Sequence, residues 1–206
     1  MLVKRLILGI LAVGLFCGFR MDLGSDKTSP KSISVLDATI EERIFEHVTR
    51  IKALVNENQN FNKEFAFLLD MKIMSGKNRF FVYDLKNDKI IDEGLVAHGI
   101  GSGIYGELKF SNENNSFCTS LGKYFIGKSY MGEFGKAYKL YGIDGTNFNA
   151  FSREIVLHKS DKVPYGEQQK SIANSLGCPM VNEMYYQRLE KLIDKSEGYI
   201  ILDIYY

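Results

Sequence analysis

Net charge is almost absent from this chain. Its 26 basic and 25 acidic residues leave a formal charge of +1, which offers no electrostatic footprint for nucleic acid or an anionic membrane surface. Histidine and cysteine are scarce, three of each, and none lie at a close ligand spacing such as Cys-x-x-Cys. His98, His158 and Cys178 have the chemistry of three zinc ligands, yet their scattered positions argue for no metal and no other cofactor. No phosphate motif of the Walker or dinucleotide type is present, so the glycines of His98-Gly99-Ile100-Gly101-Ser102-Gly103 read as a flexible rim rather than a phosphate cradle. Long apolar runs are missing too. The stretch Leu6 to Phe16 holds eleven residues, against the ~20 that a membrane-spanning helix needs.

Lys4 and Arg5 stand ahead of that run, in the order of the charged and apolar regions of a secretory signal. Residues 1–20 are therefore expected to direct export to the periplasm or cell envelope. Cys17 is a candidate lipoprotein cysteine, although Phe16 is bulky where processing favours a small residue; membrane anchoring through this retained segment is the other reading. Residues 21–36 are polar, with Pro30, and read as a tether. Thr39-Ile40-Glu41-Glu42 fits a capping box, and Ile40, Ile44, Val48, Ile51 and Val55 recur at helical spacing, predicting a helix from about 38 to 56 with His47 beside its apolar stripe. The organisation expected is a signal over 1–20, tether and helix over 21–60, and one main domain over 61–206. At 206 residues and 45% hydrophobic, the chain has material for one sizeable core.

Short strands follow. Arg79 to Leu85 and Ile90 to Ala97, joined by the turn-like Lys86-Asn87-Asp88-Lys89, predict a hairpin. Leu121 to Tyr130, Ala137 to Tyr141 and Tyr199 to Ile204 are further strand candidates, with turns at Gly127, Gly132 and Gly135. Phe65 to Leu69 is a continuous apolar run that periodicity alone leaves unassigned. Tyr165 to Asn174 is expected as a short helix, and Glu183 to Lys195 as a longer one. The fold class expected is mainly β (α+β), an antiparallel sandwich or barrel with a few short helices and the N-terminal helix.

The chemistry concentrates in Ser175-Leu176-Gly177-Cys178-Pro179 and in His158. A thiol is a useful nucleophile as thiolate, so a catalytic cysteine needs a neighbour that takes its proton or stabilises its charge. Arg153-Glu154-Ile155-Val156-Leu157-His158 reads as a strand ending in an imidazole suited to that task. Glycine before the cysteine permits a backbone closed to other residues, which lets the Gly177 and Cys178 amides point together at a developing oxyanion. Ser175 shapes the turn or bonds substrate, and Arg153 is a candidate for a substrate carboxylate. Cys118 has no partner motif and reads as a structural thiol, with the requirement that it not be bridged to Cys178 in the active form.

The segment Arg153 to Pro179 resembles the active site of the murein L,D-transpeptidase catalytic-domain family, the YkuD-like cysteine transpeptidases. Sixteen residues separate His158 from Ser175, within the family's range. The resemblance extends through Val96-Ala97-His98-Gly99, Lys109-Phe110-Ser111-Asn112 and Ser120-Leu121-Gly122-Lys123-Tyr124-Phe125. Leu176 replaces the usual second histidine, Lys159 a common glycine and Met180 a polar residue. The resemblance implies a buried first strand at Phe65 to Leu69 and a structural loop position for His98, with a direct substrate or catalytic contact as the other reading of that residue. It also implies acyl transfer on peptidoglycan stem peptides through a Cys178 thioester, with release of D-alanine and capture by a side-chain amine. Two alternatives stay open on the same residues: hydrolysis by water, an L,D-carboxypeptidase, or a non-catalytic peptidoglycan-binding module.

Overall fold

A computed structural model describes residues 37–104 and 106–206. The expected signal over 1–20, the tether up to residue 36 and Cys17 lie outside the described residues. No helix among the described residues is long and apolar enough to cross a membrane.

The first helix, α1, runs Ala38–Glu57 and starts at Asp37, whose carboxylate accepts the Thr39 amide at 2.8 Å. Aspartate is thus the cap, rather than the threonine of the expected capping box; its short acidic side chain suits the unpaired amides of a first turn. Ile44, Val48, Ile51 and Val55 form the buried stripe. Beside it, Arg43 pairs with Asp70 at 2.7 Å, while His47 meets Asp203 at 2.8 Å and stacks on Tyr205.

Nine strands follow: β1 Phe61–Asp70, β2 Phe80–Asp84, β3 Lys89–Gly94, β4 Val96–Ala97, β5 Gly122–Gly132, β6 Gly135–Gly142, β7 Val156–Lys159, β8 Met180–Val181 and β9 Tyr199–Tyr205. Helix α2, Glu183–Lys195, separates the last two and is capped by Asn182. The order across the sheet is β3-β2-β1-β9-β5-β6-β7-β8-β4. Most neighbours are antiparallel, whereas β1–β9 and β7–β8 are parallel. The sheet is open, which corrects the expectation of a barrel. Its two outer strands, β3 and β4, are consecutive in the chain with only Leu95 between them, and a strand running straight on into the next cannot turn back to close a ladder with it.

Burial explains why Phe65 to Leu69 escaped assignment by periodicity. Along β1, Ala66 and Leu68 face the α1 cluster, while Phe67 and Leu69 face the larger cluster with Tyr185, Tyr186 and Leu189 of α2. Both faces of the central strands are covered, so the period of two is present in direction but not in polarity. The helix expected over Tyr165 to Asn174 does not form. The Gln168 amide donates to the Gly76 carbonyl at 2.7 Å and the Ile172 amide to Ser75 Oγ at 3.1 Å. Those donors satisfy partners outside the segment instead of their own preceding turn.

Candidate active site

Strand β7 is shorter than the sequence suggests. Arg153 and Glu154 belong to a turn in which the amides of Arg153, Glu154 and Ile155 donate to the carbonyls of Asn149, Phe151 and Ala150, and Glu154 takes a left-handed φ of 57°. The strand proper pairs Leu157 with Tyr138 of β6 and, in parallel, His158 with Met180 of β8. Because Met180 follows Cys178 by two residues, this register brings the histidine strand alongside the cysteine turn.

Ser175 closes that turn. Its hydroxyl donates to the Cys178 carbonyl at 2.6 Å and accepts the Gly177 amide at 3.2 Å. Ser175 is itself held by the preceding layer, its amide donating to the His98 carbonyl at 2.9 Å and its carbonyl accepting from Ile100 at 2.8 Å. Gly177 sits at φ +123°, and a Cβ there would lie 3.1 Å from both the Cys118 carbonyl oxygen and Ile155 Cδ1. The expected pair of oxyanion amides is therefore only half available: Ser175 Oγ occupies the Gly177 amide, whereas the Cys178 amide has no acceptor among the described residues.

The Cys178 sulfur lies 3.4 Å from the Val156 amide, which donates to it, and 3.7 Å from the Glu154 carbonyl, toward which its S–H points. Burial pushes the thiol above its ordinary range; the Val156 N–H and the Arg153 charge pull it back, and the Glu154 charge adds to the rise. His158 is buried, and burial holds its imidazole below the ordinary histidine value. Its Nδ1 lies 3.0 Å from the Lys159 carbonyl. A carbonyl can only accept, so Nδ1 carries the hydrogen and Nε2 keeps its lone pair. Phe134, from the tip of the β5–β6 hairpin, covers the ring. Both shifts favour the neutral forms, thiol and imidazole, over the charged ones.

Two cavities meet at Cys178. The larger, about 640 Å³, is walled by Tyr130, Phe134, Phe151, Ile155, Val156 and His158. The smaller, about 460 Å³, is more polar and is lined by Asn114, Asn115, Phe117, Arg153 and Leu176. Ser152, Glu154 and Cys178 belong to both. Arg153 spends its guanidinium on four acceptors: the Ser111 and Cys118 carbonyls at 2.9 and 2.7 Å, and the Ser120 and Ser116 hydroxyls at 3.2 and 3.3 Å. It organises the loop opposite Cys178 and supplies a cation near the sulfur.

His98 is brought elsewhere. Its ring is buried between the Arg79 guanidinium, 2.8 Å from Nδ1, and the Gly103 carbonyl, 2.7 Å from Nε2. Both nitrogens are engaged by protein, and the His98 carbonyl accepts the Ser175 amide, so the residue holds the Ser175 turn in place. Cys118 and Cys178 are both free thiols. Val156, Glu154 and Phe134 are the site residues that sequence reasoning missed. Phe134 carried a signal, since it lies between the expected turn glycines Gly132 and Gly135. Nothing in residue type marks the other two, because a backbone amide and a left-handed φ leave no trace in composition.

The family model for the L,D-transpeptidase catalytic domain, YkuD_2, matches residues 36–202. No curated protein matches this chain. Similar solved structures are the Ldtfm–avibactam carbamoyl enzyme (12% identity, TM-score 0.42), Bd1075 of Bdellovibrio bacteriovorus (18%, 0.42) and an L,D-transpeptidase from Xylanimonas cellulosilytica (13%, 0.38). These matches cover 69%, 70% and 70% of this chain but only 49%, 48% and 61% of the solved chains.

Proposed function

Because this chain belongs to the L,D-transpeptidase catalytic-domain family, we propose that it is a cysteine acyltransferase acting on peptidoglycan stem peptides, with Cys178 as nucleophile and His158 as base. The observation that carries this reading is the shared cavity: the His158 ring, on β7, and the half-buried Cys178 thiol, on the turn that leads into the neighbouring β8, line one space. Burial, which favours the neutral thiol and imidazole, sets the order of events in this reading. His158 Nε2 takes the thiol proton as the sulfur attacks the peptide carbonyl, so charge forms only in the presence of substrate. The developing oxyanion is met by the free Cys178 amide. His158 then returns the proton to the departing amine as the C–N bond breaks, leaving a thioester on Cys178.

In the second half, an amine from another stem attacks the thioester and the sulfur leaves. A water molecule in place of that amine gives hydrolysis. A stem-peptide substrate lies outside the cytoplasm, so the proposal carries with it export directed by residues 1–20; finding the full-length protein soluble in the cytoplasm would count against both. The direct test is intact-mass spectrometry after exposure to a carbapenem, whose strained lactam carbonyl stands in for the stem carbonyl, or to a tetrapeptide-stem muropeptide. One adduct on the wild type and none on Cys178→Ala is the expected result. An adduct of equal yield on Cys178→Ala would move the nucleophile elsewhere. Cross-linked dimer against released tripeptide then separates transfer from hydrolysis.

A further inference from the structure

Glu154 stands where the two cavities join, and its position is unusual in three ways. Its backbone is left-handed, φ 57°, an uncommon conformation for glutamate. That conformation turns its carbonyl toward the Cys178 sulfur at 3.7 Å, while the residue lines both cavities. Its carboxylate forms no ion pair among the described residues. The two cations in these walls are engaged elsewhere. Arg153 holds the four oxygen acceptors described above, and the Lys139 ammonium lies over the rings of Phe151 and Tyr130, 5.0 and 5.6 Å from their centroids.

For the nucleophile alone this carboxylate is a disadvantage, because a negative charge beside a thiol opposes formation of the thiolate. The conflict ends once the sulfur is acylated and neutral. A carboxylate without an ion pair then stands on a residue in the wall of both cavities as the second substrate arrives, and that substrate, an aliphatic amine with an ordinary pKa of about 10.4, arrives as a cation.

We infer that Glu154 is a specificity-determining residue that draws a primary ammonium to the acyl-enzyme and favours amine over neutral nucleophiles. The inference rests on the acyltransferase reading above. Of the two protons the ammonium loses in becoming an amide, one leaves to water and the other passes through His158 to the departing sulfur. The C–N bond forms, the C–S bond breaks and the Cys178 thiol is restored. No oxidant, reductant or further reactant enters.

The test sets two nucleophiles in competition for one acyl-enzyme. The full chain, held in detergent, is acylated by a tetrapeptide-stem muropeptide in a mixture of Nα-acetyl-lysine methylamide, a cation, and hydroxylamine, which is neutral at pH 7.5. The ratio of lysine-linked product to hydroxamate is read by mass spectrometry, and being a ratio it is independent of the rate of acylation. We expect Glu154→Gln to lower this ratio about fivefold, the scale of a partly exposed ion pair. Glu154→Asn, whose side chain suits left-handed backbone, should lower it equally, whereas Glu154→Asp should retain most of it. Added salt should lower the wild-type ratio and leave that of Glu154→Gln in place. A ratio unchanged in both neutral variants overturns the role of Glu154 while leaving the acyltransferase intact. Absence of both products from the wild type overturns the acyltransferase reading, and this inference with it.

Discussion

The phenyl ring of Phe134 lies over the imidazole of His158, with 4.8 Å between centroids and 26° between planes. Phe134 is itself 52% exposed, so the contact shelters the histidine more than the phenylalanine. Removing the ring in Phe134→Ala admits water to one face of the imidazole and eases the burial that holds its pKa low. The His158 pKa should rise toward the ordinary value of about 6.5. Side-chain NMR titration of the two proteins reads this directly. A His158 resonance titrating identically in both would show that the stack has no part in tuning the base.

A thiol held above its ordinary range does not behave like a preformed thiolate. Iodoacetamide labelling of Cys178 should climb steadily with pH through and beyond the free-thiol pKa of about 8.5, without a plateau near neutrality. His158→Ala should still fold, yet acylate about 100- to 10,000-fold more slowly, the usual range for general acid–base help. Cys118, buried with its carbonyl on Arg153, should label more slowly than Cys178 in the native protein. Peptide mapping after limited labelling checks the two cysteine predictions, and the rate of adduct formation by intact-mass spectrometry checks the histidine variant. A neutral-pH plateau for Cys178 would replace the neutral pair by an ion pair.

Much of the architecture was legible because it depends on local rules. The spacing of Ile44, Val48, Ile51 and Val55 marks a buried helical face, and the glycine-punctuated aromatic runs mark β5 and β6. Legibility failed where a segment's partners lie far away in sequence. Tyr165 to Asn174 has a composition open to helix, but its amides are taken by Gly76 and Ser75, about 90 residues earlier. The site divides in the same way. The turn at Ser175-Leu176-Gly177-Cys178 was legible from its glycine, and the register of β7 on β8 sets His158 alongside it. The surroundings of His98 were not legible, because what faces a histidine's nitrogens, here Arg79 and Gly103, comes from residues its own segment does not reveal.

Gly177 offers a test of the turn by itself. At φ +123° a side chain strains the backbone whatever space surrounds it, and the added Cβ would press on the Cys118 carbonyl and Ile155. Gly177→Ala should destabilise the fold by about 1–3 kcal/mol. It should also reduce acylation beyond any loss of folded protein, since relief of the strain swings the Cys178 amide and sulfur away from Val156. Denaturant unfolding together with adduct yield per folded molecule separates the two effects. A variant as stable and as reactive as the wild type would remove the turn from the argument for pre-organisation.

Acid should weaken the fold through its two buried site-region histidines. Burial lowers the pKa of both His98 and His158; for His98 the adjacent Arg79 charge lowers it further, while the Gly103 carbonyl opposes. In the unfolded chain each titrates near 6.5. Between that value and the lower folded values the unfolded state binds more protons, so stability is fully present above about pH 6.5 and declines as pH falls below it. Denaturant midpoints measured from pH 7.5 down to pH 5, above the range in which most carboxylates titrate, should fall progressively. His98→Gln, which keeps an acceptor for Arg79 and a donor for Gly103 without a titrating ring, should flatten the slope in part, and His158→Gln should remove a further share. Midpoints flat over this range in the wild type, or a slope that survives both substitutions, would mean that neither histidine is held neutral by the fold.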